Sequence, residues 1–162
     1  MLIRGGSGGV GHFAIQFAKA IGARVFTTVS TDNVEFARGL GADVVIDYKT
    51  QRFEDQVQDL DMVFDLIDGE TRERSWRLLK RGGVLVSTLT EPSQEKAKEH
   101  GVRALRYTVE HDGIELAEIV ELVAVGKVKP HVRKAFRLEE VAQAMGIVEH
   151  GGSAGKIVLS LE

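Results

Sequence analysis

The sequence predicts an α/β fold built on a doubly wound parallel sheet, with a helix-strand extension at its C-terminal end. Short β-branched segments alternate with amphipathic helical segments, and the turns between them are short. Five of the 18 glycines lie within the first eleven of the 162 residues. Strands and helices that alternate in this way form parallel strands joined by right-handed crossovers. We therefore expect one domain at residues 1–126 and the extension at residues 127–162.

The first strand and helix are defined by their apolar residues. A strand at Leu2 and Ile3 precedes the segment Val10 to Ile21, whose apolar residues step by 3, 1, 3, 1 and 3. This spacing is typical of one face of an α-helix that is buried on one side. Gly22 suits the left-handed position that ends a helix, and a second strand is expected at residues 24–29.

The same order repeats along the rest of the first domain. Asp32 stands three residues before Glu35, the spacing of a capping box, which predicts the N-cap of a second helix that ends at Gly41. A third helix is expected from Gly69 to Lys80, closed by Gly82 and Gly83. Further strands are expected at residues 44–46, 62–64, 84–86 and 102–107.

The pattern changes after Val109, before the extension begins. Helices are expected at residues 116–123 and 138–145, and Pro130 limits the polar stretch between them to an edge strand. Gly155 to Leu161 alternates apolar and polar residues, which indicates a half-buried final strand with an unpaired edge. Because such an edge recruits another chain, we expect either a homodimer in which these strands pair across the interface or disorder after about Gly126, and the homodimer is favoured.

Composition excludes several classes of function. No apolar run approaches the roughly 18 residues that a membrane span needs, and a net charge of -3 gives no basic field for nucleic acid. The absence of cysteine removes thiolate zinc sites, and the five histidines never occur at ligand spacing. The start of the chain lacks a signal-peptide pattern. We expect no metal, no membrane or nucleic-acid partner, and a cytoplasmic location.

The glycine cluster follows a strand and opens the strongest helix. Gly6-Ser7-Gly8-Gly9-Val10-Gly11 fits G-x-G-x-x-G, the fingerprint of a dinucleotide-binding Rossmann domain. Gly6 is expected to permit a tight turn, Gly8 to let the backbone approach a pyrophosphate, and Gly11 to let the helix pack close to the strand. The positive end of the helix then faces the phosphates. No ATP-type phosphate loop occurs in the sequence.

The end of the second strand predicts the cofactor. NAD sites place an acidic residue there to bind the adenosine ribose, whereas this strand ends in Thr28 to Thr31, without a carboxylate. Hydroxyl groups accommodate a 2′-phosphate, which favours NADP. Asp32 is the contrary observation, because its carboxylate would repel that phosphate. As a helix N-cap it would point back into its own helix instead.

Six segments follow one another in an order that identifies a family: Leu2 to Lys19, Gly22 to Val25, Leu40 to Asp43, Val45 to Tyr48, Leu79 to Gly83, and Gly155 to Leu159. In these segments the whole chain resembles the medium-chain dehydrogenase/reductase superfamily. The Ser-Gly-Gly-Val-Gly form of the loop is similar to that of the zinc-independent quinone oxidoreductases. The resemblance implies an NADPH-dependent reductase that acts on quinones or α,β-unsaturated carbonyls.

The resemblance also implies roles for individual residues. The glycine loop would bind the pyrophosphate and Ser30 the 2′-phosphate, while Tyr48 would pack near the adenosine. Ile67 and Thr88, after the fourth and fifth strands, would approach the ribose and nicotinamide. Asn33 stands where many relatives have a lysine that pairs with the 2′-phosphate, which implies weaker selection of NADPH over NADH.

The start of the chain departs from the superfamily pattern. Members carry a catalytic domain before the first strand, whereas Met1 lies inside that strand. The resemblance therefore implies a truncated chain that binds cofactor without appreciable turnover, and the catalytic residues are unknown. Two alternatives stay open. One is a non-catalytic NADP-binding module. The other, disfavoured because Ser30 stands where its ligand also needs an acidic residue, is an S-adenosylmethionine-dependent methyltransferase.

Other polar residues receive simpler interpretations. Arg4 is expected at a solvated strand tip, with a cofactor phosphate as a second possible contact. Asp65 and Asp68 could act as a catalytic carboxylate pair, but a place at the crevice rim or a helix cap is favoured. Trp76 is expected in the core, and the histidines are expected in solvent or in loops.

Overall fold

The computed structural model describes residues 1–151 and 154–161, so residues 152, 153 and 162 of the expected extension lie outside the described residues. The strands are β1 (Leu2–Arg4), β2 (Phe26–Val29), β3 (Val44–Asp47), β4 (Leu60–Asp65), β5 (Leu79–Ser87), β6 (Arg103–Arg106), β7 (Val132–Arg137) and β8 (Lys156–Ser160). The helices are α1 (Gly11–Ala20), α2 (Val34–Gly39), α3 (Glu70–Ser75), α4 (Gln94–His100), α5 (Gly113–Ala124) and α6 (Val141–His150).

Strands β1 to β6 form one parallel sheet in the order β3-β2-β1-β4-β5-β6. At its centre, Leu2 lies opposite Phe26 on one side and Val63 on the other. The order reverses beside β1, and a crevice forms at the carboxyl ends of the strands where the connections diverge. This arrangement confirms the predicted doubly wound sheet and places the glycine loop at the crevice.

The central strand connects two hydrophobic cores. Successive side chains of a strand point to opposite faces, so Leu2 and Ile3 enter different cores. Leu2 packs with a larger cluster that includes Val63 and Trp76, and Ile3 packs with Ile15 and neighbouring residues of α1. Both β1 residues are fully buried, and Trp76 lies in the core as predicted. The strand that carries the glycine loop is therefore held from both faces.

The start of α2 differs from the prediction. A short 3₁₀ turn at Thr31–Asn33 precedes the helix, and Asn33 occupies the N-cap position that was expected for Asp32. The chain already turns helically at Thr31, so Asp32 lies inside the turn and remains exposed. The capping-box prediction at Asp32 is therefore wrong.

The third helix is shorter than predicted. It ends at Ser75, and a 3₁₀ turn at Trp76–Leu78 leads directly into β5. Gly82 and Gly83 lie within β5, where the pairing with β4 is irregular: Leu60 lies opposite Leu79 and Met62 opposite Val84, so β5 has extra residues between these pairs. A Cβ atom on Gly83 would lie 2.9 Å from the carbonyl oxygen of Lys80. These glycines therefore permit a strand irregularity and do not end a helix.

In the extension, β7, α6 and β8 form a small parallel β-α-β unit. β7 and β8 pair with each other, with Ala135 opposite Val158. The final strand is present as predicted: one of its edges pairs with β7, and the other has no strand partner in the described part of the chain. The amide N–H of Gly155 donates to the carbonyl of Ser7 at 2.8 Å. The extension is thus hydrogen-bonded to the glycine loop.

Candidate functional site

A cavity of about 340 Å³ lies at the carboxyl edge of the sheet, where the strand order reverses. Five consecutive strand ends contribute to it, from β3 on one side to β5 on the other. Its lining consists of Gly5, Ser7, Gly8, Gly9, Val10, Gly11, Thr28, Val29, Ser30, Tyr48, Leu66, Ile67, Thr88 and Leu89. Ligands of open α/β sheets bind in this position, which makes the cavity the candidate site.

The structure brings together nine of the eleven residues that the sequence predicted for this site. The two exceptions are Gly6 and Asn33, which do not line the cavity. Sequence reasoning missed five lining residues that belong to no motif: Gly5, Thr28, Val29, Leu66 and Leu89. Each lies within two residues of a predicted site residue, so extending every strand end along the chain would have found them.

The three motif positions, Gly6, Gly8 and Gly11, favour glycine for different physical reasons. A Cβ atom on Gly11 would lie 2.1 Å from the carbonyl oxygen of Gly5, and one on Gly6 would lie 2.0 Å from Thr27 Oγ1. The positive φ of the turn belongs to Gly5, at 81°, so the turn-forming role predicted for Gly6 is wrong. Gly8 lines the cavity, and a Cβ atom there would meet the Gly5 carbonyl at 3.5 Å and no other described atom within 4 Å.

The glycine loop has a positive electrostatic environment. Helix α1 begins at Gly11 and has no acidic residue in its first turn, so its positive end is not neutralised from within. Lys156, at the start of β8, packs over Gly9, with Nζ 3.3 Å from the position of a Cβ atom on Gly9. Together these features suit an anion at the loop. Lys156 was not predicted as a site residue, because its place beside the loop follows from the fold of the extension.

His12 supports the loop from beneath. It is fully buried, and its Nδ1 lies 2.9 Å from the carbonyl oxygen of Gly8. The amide N–H of His131 approaches Nε2 at 3.4 Å, so Nε2 accepts and Nδ1 carries the proton. Burial lowers the pKa of His12, which keeps the ring neutral. The expectation of a solvated or loop histidine is wrong here, because His12 lies on the buried face of α1.

Stability is expected to depend on the protonation of His12. The unfolded chain binds a proton near pH 6.5, whereas the folded chain, with a lowered His12 pKa, binds it only at more acidic pH. The free energy of unfolding should therefore decrease as pH falls below about 6.5, by at most about 1.4 kcal/mol per pH unit. Urea denaturation between pH 5 and 7.5 measures this slope. In His12→Asn it should be shallower, and an unchanged slope would contradict the assignment.

The β2 end of the cavity presents hydroxyl groups. Ser30 is buried and lines the cavity, and its Oγ accepts a hydrogen bond of 2.9 Å from Asn33 Nδ2. Asn33 therefore orients Ser30 from behind. Two carboxylates lie nearby without lining the cavity: Asp32 is exposed, and Asp47 accepts a hydrogen bond of 2.7 Å from Thr31 Oγ1. The cavity wall at this end thus carries the Ser30 hydroxyl and the half-exposed Tyr48.

At the other end, a buried ion pair joins the ends of β1 and β4. Arg4 Nη1 lies 2.6 Å from Asp65 Oδ1, and both side chains are buried. Asp65 Oδ1 also accepts N–H bonds of 3.2 Å from Ile67 and Asp68. The expectation of a solvated Arg4 is therefore wrong, and Asp65 anchors a loop instead of reaching the crevice rim. Asp68 lies just before α3, where its carboxylate pairs with Arg72.

A second cavity, of about 370 Å³, lies among residues 54–58, Arg77 and Leu78. Its main charged group, Glu54, is already paired with Arg74 at 2.7 Å and with Arg52 at 2.9 Å. Burial raises the pKa of Glu54, but hydrogen bonds from its own backbone and these arginines prevail and lower it to about 2. The charge of this cavity is therefore compensated by the protein itself, and the cavity at the strand ends remains the better candidate.

The comparison with protein families identifies the chain. The model of the zinc-binding dehydrogenases matches residues 40–159. The chain belongs to the medium-chain dehydrogenase/reductase family. This medium-chain dehydrogenase/reductase domain is 37% identical, over 99% of its own length, to the mitochondrial NAD(P)H oxidoreductase RTN4IP1 of Danio rerio, of which it covers 49%. It is 32% identical to the 2-methylene-furan-3-one reductase of Solanum lycopersicum, covering 98% of the chain and 39% of that protein.

Solved structures agree with this assignment. The quinone oxidoreductase from Coxiella burnetii superposes on 99% of the chain, with a TM-score of 0.92 and 34% identity, and 52% of that chain is covered. The chain spans about half the length of the relatives that it matches. No three His, Asp or Glu side chains in the described part of the chain are grouped to hold a metal ion. Among those same residues, no helix has the length and apolar character to cross a membrane.

Proposed function

We propose that this medium-chain dehydrogenase/reductase domain binds NADP(H) for a zinc-independent quinone or enone oxidoreductase. The observation that carries the proposal is the cavity at the strand reversal, which combines a glycine loop, a positive helix end and a hydroxyl-bearing wall. When bound, the cofactor supplies a hydride from nicotinamide C4. The relatives named as NAD(P)H oxidoreductase and as 2-methylene-furan-3-one reductase support this class of substrate.

Different residues along the cavity are proposed to contact different parts of the cofactor. Gly8 lets the backbone approach the pyrophosphate, and Lys156 adds a positive charge beside the loop. The Ser30 hydroxyl donates to the 2′-phosphate, and Tyr48 packs near the adenosine. Ile67 and the residues after β5 border the nicotinamide half. These contacts bind and orient the cofactor.

Zinc independence rests on the resemblance of the loop. The Ser7-Gly8-Gly9-Val10-Gly11 segment is of the quinone-oxidoreductase form. The relatives carry mitochondrial or chloroplastic names in several cases, so the cytoplasmic location stays a prediction from the sequence.

Titration calorimetry tests the proposed function. The chain should bind NADPH more tightly than NADH, because Ser30 faces the cavity where NAD sites place a carboxylate. Ser30→Asp should shift selectivity toward NADH by at least about tenfold, through repulsion of the 2′-phosphate and a new contact to the ribose diol. Glu35→Gln is the matched control, since its carboxylate is exposed on α2 and does not line the cavity.

Three further measurements separate the alternatives. The isolated chain should oxidise NADPH with quinones no faster than a buffer control, and rapid turnover would refute the expected lack of a closed site. A non-catalytic module would show the same binding but no activity when the whole reading frame is expressed. Tighter binding of S-adenosylmethionine than of NADPH would favour the methyltransferase alternative.

A homodimer is part of the proposal. β8 leaves one edge without a strand partner in the described part of the chain, and its Leu159 and Val158 are each 38% exposed. Light scattering should give twice the 17.7 kDa of one chain. Leu159→Lys should shift the protein toward monomer, whereas Ile21→Lys, at a residue 84% exposed on another surface, should not. A monomer whose final strand is protected in hydrogen exchange would contradict the interface.

A further inference from the structure

The loops that follow β4 and β5 lie side by side at one end of the cavity. The loop after β4, residues 66–69, contributes Ile67 to the lining, and the loop after β5, residues 88–91, contributes Thr88. The β2 and β3 ends, where the ribose 2′ position is proposed to bind, lie on the other side of the glycine loop. The two loops therefore border the nicotinamide half of the proposed site, and their separation sets its width.

Three side chains outside the cavity lining join these loops, and we name them the loop clamp: Asp68, Arg72 and Thr90. Thr90 Oγ1 donates to Asp68 Oδ2. Arg72 Nη1 donates to Thr90 Oγ1 at 2.9 Å and to the Thr90 carbonyl at 3.1 Å, while Nη2 lies 2.9 Å from Asp68 Oδ1. The Arg72 and Asp68 side chains are only 12% and 20% exposed, so water screens this pair less than an open surface pair.

The backbone at the clamp is held in an unfavourable conformation. Asp68 has a φ of 65°, in the left-handed region that residues with a side chain rarely adopt. Such conformations persist only when surrounding contacts fix them, and they concentrate near functional sites. Here the Asp68 amide donates to Asp65 Oδ1 at 3.2 Å, and the Gly69 amide donates to Asp68 Oδ1 at 2.7 Å.

The clamped loop also touches the glycine loop. Ile67 Cδ1 lies 2.8 Å from the position that a Cβ atom on Gly5 would occupy, so the side chain packs directly over that glycine. Ile67 is 53% exposed on the cavity side. A displacement of residues 66–69 would therefore change the cavity wall without disturbing the buried sheet.

We propose that the loop clamp positions the nicotinamide half of the bound dinucleotide. It fixes the loop that carries Ile67 against the loop that carries Thr88, so that both are in place before the ligand arrives. The inference rests on the proposed function and deepens it. Asp68, Arg72 and Thr90 do not line the cavity, so they act as positioning residues.

The loop clamp is tested by comparing the binding of the whole dinucleotide with the binding of a ligand that contains only its adenosine half. Thr90→Val removes the hydroxyl at nearly constant shape, and Thr90→Ser restores it. Thr90→Val should weaken NADPH binding by about tenfold and leave binding of adenosine 2′,5′-bisphosphate within about twofold, since this ligand lacks the nicotinamide half. Thr90→Ser should bind both ligands as the unmodified chain does. Glu70→Gln, on α3 and outside the clamp, is the matched control.

Asp68→Gly provides an independent variant. Glycine adopts the positive φ without strain, so this variant removes the clamp while the loop retains its backbone path. It should show the same selective loss of NADPH affinity, with faster amide hydrogen exchange at residues 66–69 and 88–91. Equal losses for both ligands, or full NADPH affinity in Thr90→Val, would overturn the clamp. If the unmodified chain bound neither ligand, the proposed function would fail and the clamp with it.

Discussion

Gly8→Ala is expected to abolish cofactor binding while the protein stays folded. Among the described residues, a Cβ atom on Gly8 would meet only the Gly5 carbonyl oxygen, at an ordinary contact distance of 3.5 Å. Gly8 also has no positive φ, so alanine introduces no backbone strain there. The methyl group would project from a residue that lines the cavity, where the pyrophosphate is proposed to approach the backbone. We expect NADPH to bind at least about a hundredfold more weakly.

Gly11→Ala is the matched variant that should damage the fold as well. Its Cβ atom would lie 2.1 Å from the Gly5 carbonyl oxygen and 2.7 Å from Gly6 Cα. Both neighbours are backbone atoms, so no side-chain rotation relieves the overlap. We expect a loss of several kcal/mol, more than the roughly 1–3 kcal/mol of ordinary overpacking.

Two measurements on the pair separate binding from stability. Urea denaturation should give Gly8→Ala an unfolding midpoint close to that of the unmodified chain and give Gly11→Ala a much lower one. Calorimetry with NADPH should show no measurable heat of binding for Gly8→Ala. Retained NADPH affinity in a folded Gly8→Ala protein would refute the proposed approach of the pyrophosphate.

The fold was predictable because its signals are local. The apolar spacing from Val10 to Ile21 is set by the helix period, and the β-branched runs are set by burial on both faces of a parallel sheet. The glycine loop joins the two, and the structure places it at the strand reversal as predicted. Element boundaries were less predictable, as at Asp32, because a 3₁₀ turn and a helix start share the same residue preferences.

The missed features of the site depend on contacts between distant parts of the chain. Lys156 reaches the glycine loop only because the extension folds back and Gly155 bonds to Ser7. His12 is buried because of its position on α1, which its residue type did not indicate. Asn33 was expected to face the cofactor, yet its amide supports Ser30 from behind. No residue pattern along the chain predicts such pairings.

The buried Arg4–Asp65 pair is the clearest of these features, and breaking it should strongly destabilise the protein. Arg4→Met leaves the Asp65 carboxylate buried without its cation, at an expected cost of about 3–5 kcal/mol in the free energy of unfolding. Asp65→Asn should cost a similar amount, because Arg4 then keeps an uncompensated buried charge. Lys19→Met is the control. It breaks a partly exposed pair with Asp43 and should cost less than about 1 kcal/mol.

The double variant Arg4→Met/Asp65→Leu separates the effect of the buried charges on stability from the effect of the Asp65 hydrogen bonds on NADPH binding. With both charges removed, most of the lost stability should return, since apolar residues of similar volume replace a buried ion pair at little cost. The NADPH affinity of the double variant should nevertheless be lower than that of the unmodified chain, because leucine accepts no hydrogen bonds from the Ile67 and Asp68 amides, which donate to Asp65 Oδ1 at 3.2 Å. Urea denaturation and calorimetry on the same samples measure both quantities. If the NADPH affinity recovered together with the stability, Asp65 would stabilise only the core, and the position of the loop that carries Ile67 would not depend on Asp65.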